Sequence, residues 1–90
     1  MKFTEGTIVQ MDITSLYKKF KQPALGRIEY NEDGNFYILF NEDGEDACYD
    51  GEEVIIEQVG KHLITFRNDN GDGSIYFTLT YDEAEIAVVI

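Results

Sequence analysis

The sequence predicts a small, mainly β domain: a twisted barrel or meander of about five to seven strands with a C-terminal β-hairpin and a short terminal helix. Two observations predict this class. Turn sequences rich in Asn, Asp and Gly recur along the chain, at residues 31–34, 41–44, 50–51 and 68–73. The runs between these turns are rich in β-branched and aromatic residues, the usual composition of strands. With 90 residues, the chain is expected to form one domain over residues 1–90.

Alternating apolar residues support the individual strands. Phe36, Ile38 and Phe40 fall on one face of the third strand, because successive side chains of a strand point to opposite faces. Across the last hairpin, apolar side chains of two strands are expected to face each other: Ile64 and Phe66 on one, and Ile75, Phe77 and Leu79 on the other. The predicted strands lie near residues 6–13, 25–30, 35–41, 46–49, 54–59, 62–68 and 74–80.

Two segments are predicted to be helical. In residues 15–21, Leu16 and Phe20 are spaced i,i+4, and Pro23 is expected to end the helix. Near the end of the sequence, Thr80 and Glu83 match a capping box and predict a short helix over residues 81–89. The competing interpretation of that last segment is a final strand, because residues 86–90 are mostly β-branched.

The charge of the chain is strongly negative and unevenly placed. Seven basic and 18 acidic residues give a formal net charge of −11. Residues 1–28 are net basic, whereas residues 29–57 contain eleven acids and no base. We therefore expect these carboxylates to be solvated, or to meet a cationic partner, because packing them together costs electrostatic repulsion.

Composition also excludes several classes of protein. The single cysteine, Cys48, allows no internal disulfide and no cysteine-built zinc site. The sequence lacks an apolar run long enough to span a membrane, and its first residues lack the apolar middle of a signal peptide. We expect a cytoplasmic protein that uses no cofactor and binds no membrane.

A family resemblance lies in the centre of the chain. It rests on a strand that begins near a glycine, an Asp-Gly turn, an aromatic and aliphatic strand, and a second Asp-Gly turn. These features occupy Gly26 to Tyr30, Asp33 to Phe40 and Asp43 to Glu45. Residues 24–56 thereby resemble Tudor and other SH3-like small barrels. The resemblance implies a domain that binds peptides or nucleic acids and is rarely an enzyme.

Candidate chemical sites are few. Asn68, Asn70 and Asp72 match the first positions of a calcium-binding loop, but the twelfth position is Leu79 instead of the bidentate glutamate, so a hairpin turn is the better interpretation. Cys48 lies in an acidic tract that raises its pKa and suppresses the thiolate, and His62 accompanies no catalytic motif. We expect no enzyme and no metal site.

Aromatic and basic residues offer two further sites. Tyr30, Tyr37, Phe40 and Tyr49 are candidates for an aromatic cage around a cationic ligand, although some of them must fill the core. A basic and aromatic patch comprises Tyr17, Lys18, Lys19, Phe20, Lys21 and Arg27. The overall charge of −11 opposes direct binding of nucleic acid by this patch. The patch also fits the acidic face of a second copy, so a homodimer is a further expectation.

The leading functional prediction is a non-catalytic protein whose acidic face docks on a basic surface of another protein. Basic surfaces most often bind nucleic acid, so its concrete form is a nucleic-acid mimic or inhibitor. In size and single-domain organisation the chain resembles, in style, small accessory or anti-defence proteins of phages. The alternative is a Tudor-like or SH3-like adaptor that binds a peptide or protein while the acids only solubilise it. The predicted contact residues are Glu32, Asp33, Glu42, Asp43, Glu45, Asp46, Glu52 and Glu53.

Overall fold

The computed structural model describes residues 3–20, 26–39, 47–70 and 73–90, and it confirms a mainly β fold. In this part of the chain, eight strands form two antiparallel sheets. The strands are β1 (Ile8–Met11), β2 (Arg27–Tyr30), β3 (Phe36–Leu39), β4 (Ala47–Tyr49), β5 (Glu53–Val59), β6 (Leu63–Asn70), β7 (Gly73–Thr80) and β8 (Ala87–Val89). The helices are α1 (Ile13–Phe20) and α2 (Tyr81–Ala84). Neither helix has the length and apolar run needed to cross a membrane.

The larger sheet has the strand order β7-β6-β5-β1-β8. Strands β5, β6 and β7 form a meander, in which Phe66 pairs with Phe77 and Ile64 with Leu79, as the sequence predicts. The β6–β7 pairing continues to Asn70 and Gly73. This confirms a hairpin, and strands rather than helices flank the segment that matches a calcium loop.

The core lies on one face of the larger sheet. The Phe66 and Phe77 rings stack with their centroids 5.3 Å apart. Leu16 of α1 and Ile38 of β3 pack into the same cluster, so α1 and the smaller sheet cover this face. Fully burying an aliphatic side chain of this kind stabilises the fold by roughly 1.5–3 kcal/mol.

The smaller sheet has the order β2-β3-β4, and its register decides which residues share a face. Ile28, Ile38 and Cys48 lie opposite one another and face the core. In the next row, Glu29, Tyr37 and Tyr49 lie opposite one another. This row faces away from the core, because side chains alternate along each strand.

The last segment is part helix and part strand, which corrects the prediction of a helix over residues 81–89. The capping box is present: the Thr80 backbone N–H donates to Glu83 Oε1 (2.9 Å), and the Glu83 N–H donates to Thr80 Oγ1 (3.2 Å). The helix nevertheless ends at Ala84, and Ala87–Val89 pair with β1. β-branched residues favour a strand, and the open edge of β1 supplies the hydrogen bonds.

Candidate functional site

The β2–β3 turn holds Glu32 and Asp33 in a fixed backbone. Oδ1 of Asn31 accepts hydrogen bonds from the backbone N–H groups of Asp33 and Asn35, each at 3.0 Å. Gly34 has a φ of 87°, a left-handed conformation that favours glycine. Both carboxylates are exposed, so this turn presents two negative charges to solvent from an ordered backbone.

The β4–β5 turn holds Glu52 and leads into Glu53. The Tyr49 N–H donates to Oε2 of Glu52 (3.1 Å), and the Glu52 N–H donates to the Tyr49 carbonyl (3.0 Å). Gly51 has a φ of 79°, and its N–H donates to the Met11 carbonyl (2.7 Å). The turn is therefore tied to β1 of the larger sheet as well as to its own strand.

The two turns lie at the same end of the smaller sheet. The Asp50 N–H donates to the Phe36 carbonyl (2.9 Å), which places the end of β4 beside the start of β3. Between the turns lies a cleft of about 360 Å³, lined by Asn35, Asp50 and Gly51 and, from the larger sheet, by Gln10 and Val88 among others. We call this region the acidic end and define it by Glu32, Asp33, Glu52 and Glu53.

None of these four carboxylates has a cationic partner among the described residues. Other acids of residues 29–57 do have one, although this tract itself contains no basic residue. The Arg27 Nε donates to Oε1 of Glu29 (2.7 Å), and the Arg67 Nη1 donates to Oε2 of Glu57 (2.8 Å). Both arginines come from outside the acidic tract. Fewer carboxylates of residues 29–57 are therefore without a cationic partner than the sequence alone suggests.

Asp50 has a structural role that the sequence does not reveal. Its Oδ1 accepts from the backbone N–H groups of Ile13 (2.7 Å) and Thr14 (3.3 Å), and its Oδ2 accepts from the Thr14 hydroxyl. Asp12 adds a local cap by accepting from the Ser15 N–H (3.0 Å). A carboxylate at a helix N-terminus satisfies the free N–H groups there. Asp50 therefore fixes α1 to the β4–β5 turn.

The remaining predicted contact residues lie outside the described part of the chain. These are Glu42, Asp43, Glu45 and Asp46. The residues that flank them in the described part, Leu39 and Ala47, pair with each other at the end of β3 opposite the β2–β3 turn. The acidic end is thus built from half of the predicted set.

The predicted aromatic cage is not assembled by its described members. Tyr37 and Tyr49 lie on the outer face of the smaller sheet, with ring centroids 5.5 Å apart. Tyr30 packs edge-on against Phe36, 5.0 Å between centroids, in the row next to Tyr37 and therefore on the opposite face. Phe40 lies outside the described residues. Two tyrosines, flanked by Glu29, remain as an aromatic pair in which Tyr49 is exposed and Tyr37 is half-buried.

The basic and aromatic patch is partly engaged inside the molecule. Tyr17 stacks on Phe36 with 5.0 Å between centroids, and Phe20 packs against the core. Lys19 lies 3.8 Å from Oε2 of Glu85, and Arg27 pairs with Glu29. Lys21 lies outside the described residues. The patch is therefore a weaker cationic surface than its sequence suggests.

Cys48 and His62 do not form a catalytic pair. Cys48 is fully buried, and burial, followed by the charge of Glu52, raises the pKa of its thiol to about 12. Its neighbour on the larger sheet is Asn68, six residues from His62 along the chain, or about 20 Å of extended strand. Among the described residues, no group of three or more His, Cys, Asp or Glu side chains is placed to hold a metal ion.

Comparison of the chain with protein-family models, with curated proteins and with solved structures finds no match.

Proposed function

We propose that this chain is a non-catalytic binding protein whose acidic end docks on a basic surface of a partner protein. The observation that carries the proposal is the position of Glu32, Asp33 and Glu52 on two ordered turns at one end of the smaller sheet, with Glu53 next to them at the start of β5. Carboxylates without internal cations attract an arginine-rich or lysine-rich surface over several ångströms, and ordered backbones limit the entropy lost on binding.

The cleft between the two turns supports the same proposal. Its volume of about 360 Å³ lies near the lower limit of ligand sites, which range over roughly 300–1,000 Å³. Asn35 and Gln10 offer amide groups at its wall, whereas the carboxylates of Asp12 and Asp50 are already bonded to α1. We propose that one arginine or lysine side chain of the partner enters this cleft, while the four carboxylates of the acidic end, which lie outside the lining of the cleft, neutralise neighbouring cations of the partner.

In its finer form, the proposal is that the partner binds nucleic acid and that the acidic end competes with the phosphates, as an anti-defence inhibitor does. A nucleic-acid-binding surface is the commonest dense array of cations on a protein, which is why it suits this site. A partner captured on the immobilised chain should then be released by a short DNA duplex. Polyglutamate of equal charge should release much less, and equal release by both polyanions would contradict mimicry.

The docking proposal itself is tested with a fluorescently labelled octalysine peptide as the basic probe. The isosteric triple variant Glu32→Gln, Asp33→Asn and Glu53→Gln removes three charges from the acidic end without changing side-chain size. Exposed ion pairs contribute roughly 0.2–1 kcal/mol each, so we expect about tenfold weaker binding in fluorescence anisotropy at low salt.

A matched control removes three charges elsewhere. Glu5→Gln, Asp82→Asn and Glu85→Gln change exposed residues away from the acidic end. Glu5 lies beside Val59, at the opposite end of β5 from Glu53, and Asp82 follows Tyr81, whose hydroxyl donates to the Gly60 carbonyl. Glu85 lies beside Lys19 of α1. We expect this control to weaken octalysine binding by no more than about threefold, since the acidic end keeps its four carboxylates. Glutamine at position 5 keeps an acceptor oxygen for the Val59 N–H, and Glu85→Gln removes only the exposed pair with Lys19. Equal losses in the two triple variants would show that net charge alone binds the probe, and the proposed site would be wrong.

The outer-face pair of the half-buried Tyr37 and the exposed Tyr49 favours a second candidate, a peptide-binding adaptor of the kind that the Tudor and SH3-like resemblance implies. Aromatic side chains on an exposed sheet face supply contact area and attract cations. If this candidate holds, Tyr37→Ala with Tyr49→Ala abolishes capture of a partner, whereas Tyr76→Ala on the other sheet does not. Capture then depends little on salt, in contrast to docking by the acidic end.

A further inference from the structure

Strand β8 is an apolar edge of the larger sheet. It pairs with β1 on one side, and no described strand pairs with its other side. Val88 and Val89 are 56% and 54% exposed although they point to opposite faces of the sheet. On the other edge strand, β7, buried and exposed side chains alternate: Phe77 and Leu79 are buried, and Ser74 is exposed. Apolar side chains exposed on both faces distinguish β8, since natural sheets protect such edges with charges or prolines.

The register shows which backbone groups of β8 are unpaired. The Ile90 N–H points toward the Ile8 carbonyl at 3.5 Å, and Val88 lies opposite Gln10. Hydrogen-bonding groups alternate between the two sides of a strand, so the N–H and C=O groups of Ala87 and Val89 point away from β1. Two residues, one on each side of Val88, therefore present free donors and acceptors in the plane of the sheet.

This arrangement is complementary to itself. When two copies of β8 run antiparallel with Val88 opposite Val88, Ala87 of each copy lies opposite Val89 of the other. Both of these pairs are hydrogen-bonded, so four N–H···O=C bonds form and no outward group of Ala87 or Val89 is left over. We propose that this edge joins two copies of the chain across a two-fold axis through Val88, which makes one continuous ten-stranded sheet.

Charge favours a second copy over a basic strand as the occupant. Residues 86–90 contain no charged side chain, and Glu85, which precedes them in the sequence, is already close to Lys19. A lysine-bearing strand would find no acidic side chain on β8 itself, and the Asp12 and Asp50 carboxylates of the cleft beside Val88 are already bonded to α1. A second β8 supplies apolar side chains of the same shape. The four carboxylates of the acidic end take no part in this contact, although Val88 also lines the cleft beside them. The test of the dimer uses no basic probe for that cleft, so it does not depend on the proposed function.

The size of the contact predicts a weak dimer. A pairing of three residues on each side buries less than the roughly 1,000 Å² of a stable interface. Each copy also carries a charge of −11, so the two copies repel. We expect half-dimerisation on the order of 100 µM in 0.5 M NaCl and weaker association at low salt, because salt screens the repulsion.

Sedimentation equilibrium of the full chain, from about 10 µM to 1 mM, tests the proposal with two variants. Val89→Pro removes an N–H that makes no bond to β1, so the fold is kept while the outward pairing is lost. Val88→Lys places two lysines together at the two-fold axis. Its matched control is Leu63→Lys at an exposed position on β6. We expect both β8 variants to be monomeric and the Leu63→Lys variant to dimerise as the unmodified chain does.

Concentration-dependent amide chemical shifts identify the surface. Dimerisation through β8 should move the Ala87 and Val89 resonances most, and a peptide of alternating lysine and valine should not move them at low protein concentration. A monomer at 1 mM in 0.5 M NaCl would overturn the proposal, as would unchanged association in both β8 variants. Shifts caused by the peptide alone would instead identify a basic strand as the occupant.

Discussion

Asp50 offers the sharpest test of how α1 is held to the rest of the fold. The perturbation is Asp50→Ala, which leaves the Asp12 cap in place but removes the carboxylate that accepts from the N–H groups of Ile13 and Thr14. The Thr14 hydroxyl loses its partner as well. Because Asp50 is 37 residues away from Ile13, the substitution also cuts a long-range connection between α1 and the β4–β5 turn.

The expected cost follows from the bonds that are lost. Removing an N-cap side chain costs about 0.5–2 kcal/mol, and a hydrogen bond to a charged group is worth about 1.5–3 kcal/mol. These contributions overlap, and water can reach Thr14, which is only half-buried. We therefore expect Asp50→Ala to lower the free energy of unfolding by about 2–3 kcal/mol. For a domain of this size, that corresponds to a Tm lower by about 10–20 °C.

Urea unfolding followed by circular dichroism measures this change. The control is Asp33→Ala, which removes an exposed carboxylate without a side-chain partner in the described part of the chain, and we expect it to cost less than about 0.5 kcal/mol. Asp50→Asn keeps one acceptor oxygen for the two backbone N–H groups and should fall between the two. If Asp50→Ala and Asp33→Ala unfolded at the same urea concentration, the capping role derived for Asp50 would be refuted.

Two further predictions concern titrating groups. The pKa of Cys48 is raised from 9.0 to about 12, first by burial, so its contribution to stability is complete below pH 9 and is lost as the pH rises toward 12. The stability difference between the unmodified chain and Cys48→Ala, measured by urea unfolding, should therefore shrink by about 1.4 kcal/mol per pH unit above pH 9; a constant difference would contradict it. The hydroxyl of Ser74, followed by Arg67, holds the pKa of Asp69 below its ordinary value of 3.8. Ser74→Ala should raise that pKa in an NMR titration, and an unchanged value would show that Arg67 alone is responsible.

The strands could be predicted because their signal is local. Alternation of side chains and the turn residues between the runs located the strands, and the pairs Ile64 with Leu79 and Phe66 with Phe77 are confirmed. The division into two sheets could not be predicted, because it depends on β1 pairing with β5 and β8, which are far away in the sequence. Residues 81–89 contain one boundary of each kind. The capping box predicts where α2 begins, whereas the position at which α2 ends depends on the tertiary pairing of β8 with β1.

For the candidate site, too, the sequence predicts the local features but not the long-range contacts. The sequence indicates an acidic tract, and turn chemistry indicates that Glu32, Asp33 and Glu52 lie in or beside turns. It does not indicate that Arg67 neutralises Glu57, or that Asp50 caps a helix, because both depend on contacts between distant segments. The sequence alone does not indicate that Tyr37 and Tyr49 lie on the opposite face of the smaller sheet from Tyr30, because this depends on the register of the strands.

The position of β1 between β5 and β8 has a consequence for a chain that is synthesised from its N-terminus. Strand β1 leaves the ribosome before either of its neighbours has been made, and Val9 and Met11, which are fully buried in the finished fold, then have no sheet to pack in. The meander of β5, β6 and β7 consists of neighbouring segments and can pair as soon as it emerges. The larger sheet is therefore completed from its β7 edge toward its β8 edge: β1 joins a preformed meander, and β8 adds to β1 last.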